Sequence, residues 1–204
     1  MQIVSGPSTF DLVQTLGEPF ATLPSIAELK EVLLTPLKTY IPIVQTLSIA
    51  DANCLKNYVI SNPAESQLCS ELSQLIGCMI ETPMQKGSEN NRIFLWDLCI
   101  KQPLEIFSKY GQINVNIDRN KIDPSTATMS AKRPDFLCWL KNVLVFKGEE
   151  KADEADFATA EQELRNKTSQ WRPTHFGNLD YIFSYVAAGQ YIGLVYYLFV
   201  YLHC

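Results

Sequence analysis

The chain has 204 residues, 47% of them apolar, and carries a net charge of −5 at neutral pH. This length suffices for one α/β domain with a buried core, or for a core domain with an extra helical segment. With a pI of about 5.1, the chain is not one that coats polyanions by bulk charge, which leaves a local basic cluster as the only electrostatic route to such a partner.

Residues 1 to 7, Met-Gln-Ile-Val-Ser-Gly-Pro, lack the basic start and apolar core of a Sec-type signal peptide. Residues 24 to 47 read as helical, with Ile26, Leu29, Val32, Leu33 and Leu37 at helical spacing and Pro42 ending or kinking the run. Residues 62 to 80 form a clearer helix, capped by Asn62 with Pro63 in the first turn; Leu68, Leu72, Leu75, Ile76 and Met79 make a core stripe. The polar run 81 to 90, with Pro83 and Gly87, marks a soft boundary. Residues 1 to 87 are thus expected to be a helical N-terminal region, and 88 to 204 the principal domain.

Within that domain Glu89 opens an apolar-periodic stretch through Ile93, Leu95, Trp96, Leu98 and Cys99. Ile113, Val115 and Ile117 alternate with asparagines as a half-buried strand, and a polar loop follows over 119 to 131. Phe136 to Phe146 read as strand, tight turn and strand. Asp153 can cap a helix through Phe157, Ala160 and Leu164 that offers Glu161, Gln162 and Glu163. Tyr181 to Leu202 carries no charge; its tyrosines and valines and the break at Ala188-Gly189-Gln190 favour buried strands over a membrane span. The chain stops soon after, at Cys204, and reads as a domain cut short.

Cysteines at 54, 69, 78, 99, 138 and 204 are widely and irregularly spaced, which fits reduced core thiols in an intracellular protein rather than a disulfide framework. The histidines, His175 and His203, do not stand at zinc-ligand spacing from a cysteine pair, and His175 reads as a loop residue. No Walker-type loop, His-Arg-Asp or Asp-Phe-Gly is present.

The chemistry concentrates in Arg133-Pro134-Asp135-Phe136 and Val145-Phe146-Lys147-Gly148-Glu149-Glu150-Lys151. If residues 141 to 143 connect the two strands, Asp135 lies across from Glu149, and the two-residue period puts Asp135, Glu149 and Lys151 on one face. A two-residue turn would shift this register by one. Asp135, Glu149 and the main-chain carbonyl of Glu150 are then oxygen ligands for Mg²⁺ or Mn²⁺, while the Glu150 side chain points away. Lys151 would orient water or stabilise charge on a phosphoryl oxygen. Lys132, Arg133, Lys141 and Lys147 gather around the hairpin, with Arg165, Lys167 and Arg172 beyond it.

Pro134-Asp135, thirteen residues, then Glu149-Glu150-Lys151 resembles the PD-(D/E)xK motif of restriction-endonuclease-like nucleases. The flanking words, Lys132 to Phe136 and Val145 to Lys151, resemble the nuclease-type domain of crinkler-type effectors of oomycetes and some fungi. That resemblance implies an α/β restriction-endonuclease-like fold with a mixed central sheet flanked by helices, and a metal-dependent phosphodiesterase acting on nucleic acid, DNA by preference. It also implies action in a host nucleus and a kinase-like domain or host nuclear protein as partner. It makes Glu89 the candidate for a further catalytic carboxylate and Gln162 a polar helix residue of the site. The leader that such effectors commonly carry is not visible, so the chain reads as a domain without its leader or as a relative that stays in its own cell. The bland reading is a solvated hairpin end, and the competing function is an inactive interaction or DNA-binding module of the same fold.

Overall fold

The computed structural model describes residues 24–35, 40–44, 46–61, 66–82, 88–120, 133–168, 179 and 181–198. They divide into two compact units.

The first unit begins with helix α1, Ile26–Leu34, started by a capping box: Ser25 Oγ accepts from the Glu28 amide, and Glu28 Oε2 accepts from the Ser25 amide at 2.8 Å. The helix ends at Thr35, whose extended backbone is the conformation favoured immediately before a proline, here Pro36. The helical expectation for 24 to 47 is therefore corrected beyond this point. Pro42 lies not at a helix end but inside a strand, β1 (Ile41–Ile43), which pairs in parallel with β2 (Val59–Ser61). Between them runs a short helix, α2 (Ile49–Leu55), with no buried residue.

Helix α3, Gln67–Glu81, is capped by Ser66, whose side chain accepts from the Cys69 amide; Asn62 and Pro63 lie outside the described residues. Its apolar stripe is the expected one, with Leu68 and Leu75 buried and Leu72, Ile76 and Met79 partly so. Ser73 Oγ accepts the Val44 amide at 2.7 Å, so a buried hydroxyl ties α3 to the end of β1. Helix α5, Gln102–Gly111, completes this unit and packs Ile106 and Tyr110 against Leu68 and Cys69.

The second unit contains helix α4 (Glu89–Trp96), the π-helical turn Asp97–Lys101 that follows it, and a five-stranded sheet. Its strands are β3 (Val115–Arg119), β4 (Phe136–Leu140), β5 (Val143–Lys151), β6 (Tyr181–Ala188) and β7 (Tyr191–Leu198), in that spatial order. All neighbours are antiparallel except β5 and β6. That parallel pair needs a crossover, and helix α6 (Phe157–Lys167), preceded by a 3₁₀ turn at Glu154–Asp156, lies on it. Asp153 caps the 3₁₀ turn, with its carboxylate accepting from the Ala155 amide at 2.9 Å.

The apolar tail forms β6 and β7, joined at Gly189-Gln190, where Gly189 takes a left-handed φ of 60°. No described helix is long and apolar enough to cross a membrane. The sheet buries both faces at its centre. On one, Ala160 and Leu164 of α6 pack on Val186, beside a cluster of Leu137, Leu144 and Ile182. On the other, the rings of Phe136, Phe146 and Tyr185 meet at centroid distances of 5.5 to 6.2 Å. Cys69 and Cys138 are buried, Cys78 and Cys99 partly so, and Cys54 is exposed, so the core-thiol expectation fails at Cys54; Cys204 and both histidines lie outside the described residues.

Candidate active site in the central hairpin

The β4–β5 turn has two residues, Lys141 and Asn142, with Leu140 opposite Val143. Alone this would move Asp135 off Glu149. The register shifts again between Cys138 and Trp139, where Cys138 faces Phe146 and Trp139 faces Leu144, leaving Val145 as the extra residue of a bulge. The two shifts cancel. Phe136 then pairs with Gly148, and this register continued one residue beyond the ladder would bring Asp135 opposite Glu149. The expected register is thus present, made by a two-residue turn and a bulge instead of a three-residue connection.

Asp135 stands just before β4, where its Oδ2 accepts the Glu150 amide at 2.8 Å and its carbonyl accepts the Asn120 amide at 3.2 Å. Alternation along β5 separates the acidic pair. Glu149 and Lys151 lie on the face covered by α6, with Lys151 Nζ 3.9 Å from Glu149 Oε1. The Glu150 side chain turns to the opposite face, as expected, where Tyr185 Oη donates to its Oε1 at 2.5 Å and Arg119 Nη1 donates to its Oε2 at 2.8 Å.

Helix α6 supplies two groups that the hairpin alone does not reveal. Lys167 Nζ lies 2.5 Å from Glu149 Oε1, and Glu163 Oε2 lies 2.9 Å from Lys151 Nζ. Lys167 also donates to the Arg133 carbonyl. Glu163 and Lys167 are four residues apart and therefore share a helix face, the signal by which the sequence could have revealed them. Gln162 faces elsewhere: it is exposed and bonds Asn166 at 3.0 Å. Lys147, read from sequence as part of a basic surface, is fully buried, with its amine directed to the Lys167 carbonyl at the end of α6. Lys132 and Arg172 lie outside the described residues.

The electrostatics follow from burial. Glu149 is 1% exposed, and the loss of water, reinforced by the charge of Asp135, pushes its pKa up to about 8 against the pull of Lys167. Its Oε2 is buried and finds no hydrogen-bond partner among the described residues. Glu89, on α4, is also raised, first by partial burial and then by Asp135, which places it in the field of the same carboxylates. Burial works against the charge of Lys151, but the bond to Glu163 prevails and holds it above its ordinary value.

Glu89, Asp135 and Glu149 are hard oxygen donors of the kind that Mg²⁺ and Mn²⁺ take. A buried carboxylate oxygen that finds no partner among the described residues, and a carboxyl pKa raised first by burial and then by the charge of Asp135, suit a bound cation, so the residues fit such an ion. Among the described residues no three acidic, histidine or cysteine side chains are already gathered as a metal cage. The fit therefore relies on the Glu150 carbonyl and on water as further ligands, as is usual for Mg²⁺.

No protein-family model matches the chain. Over 96 residues, 47% of the chain, it is 30% identical to Crinkler effector protein 8 of Phytophthora infestans. That stretch amounts to 14% of the relative's length. No solved structure matches. The chain thus has a crinkler-like relationship over about half its length.

Proposed function

We propose that residues 88 to 204 form a PD-(D/E)xK, restriction-endonuclease-like domain that hydrolyses nucleic-acid phosphodiesters with Mg²⁺ or Mn²⁺. The observation that carries this reading is that the Asp135 carboxylate accepts the Glu150 amide at 2.8 Å while Lys151 lies 3.9 Å from Glu149 on one face of β5. The similarity over about half the chain to a crinkler effector is compatible with this reading, and action on DNA in a nucleus is part of the proposal.

In this reading Asp135, Glu149 and the Glu150 carbonyl hold the cation, with Glu89 as an added carboxylate. A divalent ion bound there supplies positive charge to a phosphoryl oxygen and lowers the pKa of water. Lys151 would offer its ammonium to a phosphate bound beside Glu149, where charge grows in the transition state. Glu163 keeps that amine protonated, and Lys167 bonds Glu149 and favours its ionised form, the form in which it would hold a cation. Burial of Glu149 keeps bulk water from weakening these interactions.

One observation favours a second reading, an inactive interaction or DNA-binding module of the same fold, with a kinase-like domain or a host nuclear protein as partner. Both lysines of the site are already paired with carboxylates, in a chain of net charge −5. The test is to incubate supercoiled DNA, single-stranded DNA and RNA with the protein, with and without Mg²⁺ or Mn²⁺. Nicking or fragmentation that stops on chelation supports the enzyme. Folded protein that retards but never cuts any of them supports the binding module.

A further inference from the structure

The face of β5 opposite the lysines carries a second buried polar group. Arg119, at the end of β3, donates through Nε to Asp97 Oδ1 at 2.9 Å and through Nη1 to Glu150 Oε2 at 2.8 Å, and its guanidinium lies 5.3 Å from the Phe136 ring centroid. Tyr185 occupies the other oxygen, Oε1. Glu150 is 1% exposed, and both carboxylate oxygens are engaged by charged or hydroxyl donors. Tyr185 reaches it only because residue 148 is glycine: a Cβ there would stand 2.1 Å from the tyrosine ring. One residue thus has its side chain gripped from behind while its main-chain amide bonds Asp135 in front.

We infer that Asp97, Arg119 and Tyr185 are positioning residues, which fix the Glu150 main chain, and through it Asp135, at the cation site. This rests on the proposed metal-dependent reading and deepens it. The side chain of Glu150 never touches the ion or the substrate. Its function is to lock the peptide that supplies one ligand and orients another. Partners that orient metal ligands typically govern affinity by about 10- to 100-fold.

The experiment is calorimetric titration of Mn²⁺ alone into wild type, Tyr185→Phe, Glu150→Gln and Asp135→Asn, with thermal unfolding of each metal-free protein alongside. Tyr185→Phe and Glu150→Gln are expected to raise the Mn²⁺ dissociation constant by about tenfold or more, and an osmolyte that restores their unfolding temperature should not restore affinity. Glu150→Gln keeps the shape of the residue, so it reports on the grip if Tyr185→Phe folds poorly. A lower unfolding temperature with wild-type Mn²⁺ affinity, beside loss of binding in Asp135→Asn, would make the network purely structural and overturn this inference alone. Absence of Mn²⁺ binding in wild type would overturn the metal reading and this inference together.

Discussion

Glu149 carries the physical tension of the site: a carboxyl group with almost no water, one oxygen on Lys167 and the other with no partner among the described residues. Its raised pKa, about 8, means that the folded protein holds a proton that the unfolded chain has released. The stability this contributes is complete below the unfolded carboxyl value near 4.5 and is lost as pH rises through about 8. In chelator, unfolding free energy is therefore expected to fall across that window by at most about 1.4 kcal/mol per pH unit, and Glu149→Gln should flatten the decline. Urea titrations at each pH check this; an equal slope in both proteins would remove Glu149 as its source. Lys151 stands in a different position. It is partly exposed, so its ion pairs with Glu163 and Glu149 are worth little to the fold. Lys151→Met is expected to change unfolding free energy by less than about 1 kcal/mol while lowering the cleavage rate by on the order of a hundredfold, as loss of a group that stabilises transition-state charge does.

The β-hairpin decides the geometry among the elements, and its legibility in the sequence was uneven. Asp135 and Lys151 could be placed on their strands because Phe136 to Leu140 and Val143 to Phe146 alternate around a polar pair. The sequence left the turn open between two and three residues, because the left-handed φ of 56° at Lys141 is not advertised by its residue type, and the bulge at Val145 has no local signal. Helix α6 was legible from its apolar stripe, but Asp153, expected to cap it, caps the 3₁₀ turn before it instead. The pairing of Glu163 and Lys167 with the hairpin was not, because it depends on how a helix lies across a parallel strand pair. Arg119, Asp97 and Tyr185 were invisible for the same reason: their meeting at Glu150 is wholly tertiary. Gly148 is the most sensitive point of this element. Gly148→Ala forces the Tyr185 ring to move, since the added methyl would overlap it. Overpacking of this kind costs roughly 1 to 3 kcal/mol, which a lower urea midpoint with an unchanged slope would register. A wild-type midpoint would contradict the close packing of Tyr185 over that strand.

For the whole molecule, a mixed sheet with the order β3-β4-β5-β6-β7 brings the site to its centre, where neighbours on both sides fix β5. The first unit, with its small parallel sheet and α3, contributes none of the candidate ligands. Net charge gives this molecule no general attraction for nucleic acid, so binding has to come from a local positive field and should weaken steeply with salt. A cation held by Asp135 and Glu149, as proposed, would add to that field. Metal removal is therefore expected to weaken binding of a DNA duplex as well as to stop its cleavage, and a chelator titration followed by gel retardation would detect both. Binding that is indifferent to chelation and salt would point to a surface away from the hairpin.

The most direct measurement compares DNA cleavage in Mg²⁺ and Mn²⁺ by wild type, Asp135→Asn and Lys151→Met, each verified as folded by its unfolding transition. Asparagine keeps an acceptor for the Glu150 amide, so Asp135→Asn removes the charge with little damage to the hairpin. The account predicts metal-dependent cutting by wild type and a loss on the order of a hundredfold or more in both variants. Cutting that survives both substitutions, or folded wild type that leaves every substrate intact, would contradict it.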